Sequence, residues 1–218
     1  PNVDANTHHK ITTGLSENKF GIPVSELDKA VDEIENLSFL KLTGIHFHIG
    51  SQIQSLNPFA SLCMSANQIL EQLRNRGISL EHINVGGGLG INYLDPDGYP
   101  IPNFQEYFRL FERMLKIEDH QTVHFELGRS ITGQCGSLIS KVLYIKKGVT
   151  SNFAIIDAGM TDLIRPALYD SYHKIENMTA DGKLETYQVV GPICESSDCF
   201  GSVSMPTTNR GDYIRIRS

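Results

Sequence analysis

No apolar run in this 218-residue sequence approaches the roughly 18 to 20 residues of a membrane span. The opening Pro1-Asn2-Val3-Asp4 has no basic stretch leading into an apolar core, so no secretory leader is predicted and a cytoplasmic protein is the default expectation. A basic block is missing as well. With a net charge of -6 and a pI near 5.7, the chain carries no electrostatic footprint for nucleic acid or an anionic membrane surface, and the expected partner is a small molecule. Nor is there a C-x-x-C pair: Cys63, Cys135, Cys194 and Cys199 have neither zinc-site spacing nor the density of a secreted disulfide scaffold, and are read as reduced thiols. Internal repeats and low-complexity tracts are absent too. What remains, 40% hydrophobic and 20% charged residues, is the composition of an ordinary globular protein with one large or two smaller domains.

Along the chain, Lys10-Ile11-Thr12-Thr13-Gly14 is a short strand-and-turn candidate. Ser25 is placed as an N-cap with Asp28 as a capping-box partner, ahead of a helical face formed by Leu27, Val31 and Ile34. An apolar strand follows over residues 42–49. Asn57-Pro58 predicts a helix with Asn as cap and Pro at the first position, with Phe59, Leu62, Ala66, Ile69, Leu70 and Leu73 facing inward and Gly77 as stop. Next come a strand at Ile83-Asn84-Val85, a helix over roughly 103–117, and a strand at Thr122-Val123-His124-Phe125-Glu126. This alternation predicts a parallel sheet with chemistry at the strand carboxyl ends. After Gly136 only strands are expected: residues 138–145, 153–157, 184–190 and 213–216.

The candidate chemistry sits in polar and glycine-rich stretches. His46-Phe47-His48-Ile49-Gly50-Ser51-Gln52 puts two histidines on one strand face before a turn that can hold an anion. Gly86-Gly87-Gly88 reads either as close backbone approach to a phosphate or as a tight strand-to-loop turn. Gly128-Arg129-Ser130 adds a glycine, a cation and a hydroxyl. Glu126 suits a cationic ligand group such as a protonated pyridine nitrogen, or a plain salt bridge. A metal site using His46, His48, His124 and Asp157 is a competing reading. Beyond residue 160, Arg165 lies near Tyr169, and Cys194 is flanked by Glu195, which suits a neutral thiol proton donor better than a thiolate nucleophile.

Together, the stretches from His46 to Gln52, Asn84 to Gly88, Glu126 to Ser130, Leu163 to Tyr169 and Gly191 to Asp198 resemble the diaminopimelate decarboxylases over essentially the whole chain. One departure is Leu127, where that family more usually has Pro. The resemblance implies an α/β plus β fold: residues 1–132 as the C-terminal part of an alanine racemase-like (β/α)8 barrel, and residues 133–218 as an incomplete, Greek-key barrel-like β domain. It implies the cofactor pyridoxal 5'-phosphate, with His48 stacked on its ring, Ser51, Gly86, Gly87, Gly88, Gly128 and Arg129 around its phosphate, and Glu126 on the pyridine nitrogen. Arg129, Arg165 and Tyr169 would take the substrate's distal carboxylate and Glu195 its distal ammonium group. Cys194 and His48 would be the catalytic side chains, and Cys194 with Glu195 would enter a partner's site in a homodimer. Decarboxylation of meso-2,6-diaminopimelate to L-lysine is the implied reaction. Ornithine, arginine or carboxynorspermidine decarboxylases, a metal-dependent barrel hydrolase and a non-catalytic cofactor-binding homologue are the alternatives.

The strand-like Asp212-Tyr213-Ile214-Arg215-Ile216 runs to the last residues without a closing cap, so a longer polypeptide is expected. The family's Schiff-base lysine would precede Pro1, its last substrate tyrosine would follow Ser218, and the 218 residues alone would be inactive. Incubation of the isolated chain with the cofactor, followed by borohydride reduction and peptide mapping, is expected to leave no lysine stoichiometrically labelled. One fully labelled lysine overturns that expectation.

Overall fold

The computed structural model describes residues 1–5, 13 and 19–218. The strand-and-turn expected at residues 10–14 lies, apart from Thr13, outside the described residues. The chain divides into two compact units, one of residues 1–91 with 101–131 and the other of residues 92–100 with 132–218. Among the described residues no helix is long and apolar enough to cross a membrane.

In the first unit three short strands, β1 (Gly44–His46), β2 (His82–Asn84) and β3 (Thr122–His124), form a parallel sheet in the order β1-β2-β3. Ile45, Ile83 and Val123 are aligned across it and turn toward the helical core. The opposite face carries the aligned His46, Asn84 and His124. The strands are shorter than the sequence pattern predicts, yet their ladder continues: Phe47 N–H donates to Asn84 O at 2.8 Å, Val85 N–H to His124 O at 3.0 Å, and Glu126 N–H to Gly86 O at 2.8 Å.

Among the described residues, this sheet is accompanied by α1 (Leu27–Glu35), α2 (Asn57–Asn75), α3 (Phe104–Met114) and the short α4 (Arg129–Thr132). The expected Ser25 cap is not made, because residues Val24–Glu26 form a single 3-10 turn and Glu26 takes the cap position without a side-chain bond. At α2 the cap position falls on Leu56, and Asn57 donates its backbone N–H to Ser55 Oγ instead of capping. The inward face of α2 is as predicted, with Phe59, Leu62, Ala66, Ile69, Leu70 and Leu73 all buried. Its C-terminus closes as a Schellman motif: Ile78 N–H reaches Leu73 O, Gly77 N–H reaches Arg74 O, and Gly77 takes φ 80°, where a side chain is disfavoured. Helix α3 is capped by Asn103, which accepts from Glu106 N–H at 3.1 Å, and it stops at Met114, earlier than predicted, since Leu115 turns extended to enter the core.

The centre of this core is aromatic. Phe59 meets Tyr107 edge-on at 5.0 Å, and Phe125 meets Phe111 at 5.1 Å and Phe108 at 5.0 Å. Such edge-to-face pairs add about 0.5–1.5 kcal/mol each beyond the area they bury. The exposed ion pairs from Arg76 to Asp28 and Asp32 tie α1 to α2, but pairs of that kind contribute only about 0–1 kcal/mol. Packing therefore decides the stability of this unit.

The second unit is a six-stranded sheet in the order β6-β9-β4-β5-β7-β8, built from β4 (Ser137–Lys147), β5 (Asn152–Ile156), β6 (Ile175–Asn177), β7 (Leu184–Val190), β8 (Cys199–Pro206) and β9 (Tyr213–Arg217). All neighbours are antiparallel except β5 and β7. Long β4 pairs with β9 through its first half and with β5 through its second, so one strand serves two stretches of the sheet. The terminal strands β6 and β8 approach each other and nearly close it. Val142, Ile156, Tyr187, Val189, Phe200, Met205, Ile214 and Ile216 fill the interior.

The expectation of strands alone beyond Gly136 is corrected by α5 (Arg165–Tyr169), one short helix ending at Asp170 in the left-handed region. Strands β6 and β8 had no signal of their own in the sequence. The first has three residues, and the second contains Gly201, Ser202, Ser204 and Pro206, poor strand formers held in the strand by pairing with β7; the register shift falls only at the Gly201 end, opposite Val189 and Val190.

Truncating Phe59, which is 0% exposed, is expected to show where the stability lies. Phe59→Ala should lower the unfolding free energy by about 3–5 kcal/mol in a denaturant titration. A loss below about 1 kcal/mol would contradict a packing-dominated core.

Candidate cofactor site at the strand ends

The carboxyl ends of β1, β2 and β3 gather the first-unit residues singled out in the sequence. Alternation continues past β1: Phe47 and Ile49 are buried, while His46 and His48 lie on the other face. His46 Nε2 donates to Glu126 Oε2 at 3.2 Å, and Asn84 Nδ2 donates to Glu126 Oε1 at 2.9 Å. The orientation of Asn84 is set internally, since its Oδ1 accepts from Gly86 N–H at 2.9 Å. Glu126 is thus held by one donor on each oxygen, although it is exposed. Asn84 has no distinctive role in the sequence pattern; its place in register between His46 and His124 is the signal that the fold supplies.

His48 accepts from Gly87 N–H through Nδ1 at 3.4 Å. Burial, reinforced by the neighbouring His46, pushes the His48 pKa below its ordinary 6.5, while Glu126 opposes the shift. The ring is held neutral, with an aromatic face that carries no charge.

At the other side of this group Arg129, the first residue of α4 (Arg129–Thr132), donates to Ser51 Oγ through Nη2 at 3.2 Å and Nε at 3.4 Å. Ser51 sits in a turn between Gly50 at φ 149° and Gln52 at φ 61°.

The three glycines have a specific cause. A Cβ on Gly86 would lie 2.3 Å from Phe47 O, on Gly87 2.1 Å from Glu126 O, and on Gly88 2.6 Å from Gly50 O. Backbone approaching backbone excludes side chains here, before any ligand is considered. Gly128 is different: a Cβ there would meet nothing within 4 Å, so open space adjoins Arg129.

The competing metal set does not assemble. Among the described residues no three His, Cys, Asp or Glu side chains are grouped to hold an ion. His46 is bound to Glu126, His124 Nε2 lies 3.1 Å from both His82 Nδ1 and Thr122 Oγ1, and Asp157, in the second unit, accepts from Ser140 Oγ and Lys141 N–H.

The chain matches the pyridoxal-binding domain of the pyridoxal-dependent decarboxylases over residues 1–133. It belongs to that family. It is 54% identical to diaminopimelate decarboxylase of Bacteroides thetaiotaomicron over all of its own length and 57% of the relative's, and 41% identical to that of Haemophilus influenzae over 98% of its length and 51% of the relative's. Diaminopimelate decarboxylase of Helicobacter pylori, solved with L-lysine, superposes with a TM-score of 0.91 at 38% identity, covering all of this chain and 54% of the other. The chain spans about half the length of the relatives it matches. Its fold is accordingly part of an alanine racemase-like barrel followed by a β-rich domain.

The residues present fit a pyridoxal phosphate. A doubly held carboxylate, a neutral imidazole and a hydroxyl–guanidinium pair beside open space are the kinds of group that a pyridine nitrogen, a ring face and a phosphate would require.

The other singled-out residues lie in the second unit. Arg165 and Tyr169 are the ends of α5, and Cys194 is exposed on the loop from Gly191 to Asp198. That loop is shaped by buried Asp198, whose carboxylate accepts from Ile193 N–H at 2.9 Å and Met160 N–H at 2.6 Å. Glu195 in turn accepts from Ser197 Oγ at 3.1 Å. Asp198 closes the sequence motif without a chemical task of its own; only the fold reveals that it holds the loop.

A lowered His48 pKa means that the unfolded chain binds the proton more tightly than the folded one. Stability contributed at this residue is therefore full above about 6.5 and is lost as pH falls toward the folded value. An NMR titration of the ring is expected to give a midpoint below 6.5; a midpoint at or above it refutes the assignment.

Proposed function

We propose that the chain serves a cytoplasmic, homodimeric enzyme that removes the carboxyl group at the D-centre of meso-2,6-diaminopimelate to give L-lysine and carbon dioxide. The observation that carries this reading is the Glu126 carboxylate, gripped by His46 and Asn84 on the same strand ends that bring Arg129 to Ser51. The names of the relatives add the substrate. When bound, pyridoxal phosphate supplies an electron sink for the carbanion left as carbon dioxide departs.

The chain's own side chains do the rest. Glu126 would accept from the pyridine N–H and keep that proton on the ring nitrogen. His48 would lie against the ring as a neutral imidazole and exclude water from it. Ser51 and Arg129, with the backbone at Gly86, Gly87, Gly88 and Gly128, orient the phosphate. Arg129, Arg165 and Tyr169 bind the distal carboxylate, and Glu195 binds the distal ammonium group. Cys194 holds the proton that replaces the lost carboxyl group, and it and Glu195 act in the site of the partner subunit. A guanidinium fork recognises a carboxylate in a bidentate way and repels a distal amine or guanidinium, so Arg165 separates diaminopimelate from ornithine and arginine.

A panel assay on the enzyme expressed from its whole gene tests the assignment. The kcat/KM for meso-diaminopimelate is expected to exceed that for ornithine, arginine or carboxynorspermidine by roughly a thousandfold or more. Preference for ornithine would overturn it.

A further inference from the structure

Arg165 has two neighbours that the proposed chemistry does not use. We propose that Tyr93 and His173 are positioning residues that fix the plane of the Arg165 guanidinium. The inference rests on the reading of Arg165 as a binder of the substrate's distal carboxylate, and it concerns the second unit alone.

His173 is 3% exposed and makes two bonds of 2.8 Å, one from Nε2 to Arg165 Nη1 and one from Nδ1 to the carbonyl oxygen of Arg217. A carbonyl oxygen can only accept, so Nδ1 carries the hydrogen. A guanidinium N–H can only donate, so Nε2 keeps its lone pair. These partners leave one form, the neutral Nδ1–H tautomer. A second proton would remove the acceptor and set an imidazolium against the guanidinium at 2.8 Å.

Tyr93 supplies the other contact. The Arg165 Cζ lies 4.3 Å from the centre of its ring, within cation–π range, and the same ring meets His173 at 5.1 Å and 72°. Neither contact carries negative charge. A neutral imidazole bonded to one guanidinium nitrogen and an aromatic face beside its Cζ together orient the planar fork.

The placement of both residues is secured from distant parts of the sequence. Tyr93 belongs to residues 92–100, where Asp97 accepts from Arg217 Nη1 at 2.7 Å and from Lys174 Nζ at 2.5 Å. Those two cations pull the Asp97 carboxyl below its ordinary range, Lys174 more than Arg217. Lys174 follows His173 directly, and Arg217 also provides the carbonyl that selects its tautomer. Arg217 N–H donates to Lys174 O at 2.8 Å, closing the arrangement.

The test uses the enzyme expressed from its whole gene, loaded with cofactor and assayed on meso-diaminopimelate. Tyr93→Leu and His173→Leu are each expected to raise KM about tenfold with kcat within about twofold. Tyr93→Phe, which keeps the ring, and His173→Gln, which keeps one donor and one acceptor, should raise KM less than their leucine counterparts. Independently of activity, 15N NMR should report His173 as neutral and protonated on Nδ1. Tyr93 is only half-buried, so Tyr93→Leu stays informative if His173→Leu fails to fold. If Arg165→Lys raises KM at least tenfold while Tyr93→Leu leaves it unchanged, or if His173 is an imidazolium or Nε2–H tautomer, the positioning role alone fails. If Arg165→Lys itself leaves KM unchanged, the substrate role of Arg165 fails and takes the positioning role with it.

Discussion

Backbone meeting backbone at the ends of β1, β2 and β3 is the constraint on which the first unit's site depends. Gly87 approaches the Glu126 carbonyl so closely that a Cβ would sit 2.1 Å from it, and Gly86 stands in the same relation to Phe47. Only that approach lets Glu126 N–H reach Gly86 O and keeps the strands in register beyond their regular length. Register then places the functional groups. Asn84 and His46 stand on either side of Glu126 because Asn84, His46 and His124 are aligned across the sheet, and alternation turns the next residues, Phe47, Val85 and Phe125, into the core.

The same geometry sorts histidines that are chemically alike. His46 faces a carboxylate and donates to it, whereas His48, two residues on, is half-buried and accepts from an amide. His124, which composition alone would offer as a metal ligand, spends its ring on His82 and Thr122. Identity of residue type says little here; the partner on the next strand decides the role.

In the second unit two carboxylates hold loops in place. Asp198 is buried and ties the Cys194 loop to the turn at Met160, and its bonds are to backbone amides that any sequence would offer. Asp97 does similar work at the surface, tying the loop that carries Tyr93 to β9. Both carboxylates look like ordinary acidic loop residues until the fold brings their donors to them.

Local pattern therefore determined a good deal by itself. The inward face of α2, the stop at Gly77, the alternation of helices and strands to residue 130 and the sites of His48, Ser51, Glu126 and Arg129 at strand ends all follow from periodicity and glycine placement, which act within a few residues. Helix caps and strand lengths departed from the pattern because they depend on neighbours: Leu115 leaves α3 to reach the core, and β8 persists through Gly201 and Pro206 because β7 pairs with it. The grip of Asn84 and His46 on Glu126, and the setting of Arg165 between Tyr93 and His173, belonged wholly to the tertiary structure. Those contacts join residues tens of positions apart, and hydrogen-bond direction and ring geometry exist only once the fold has brought the partners within about 3 to 5 Å.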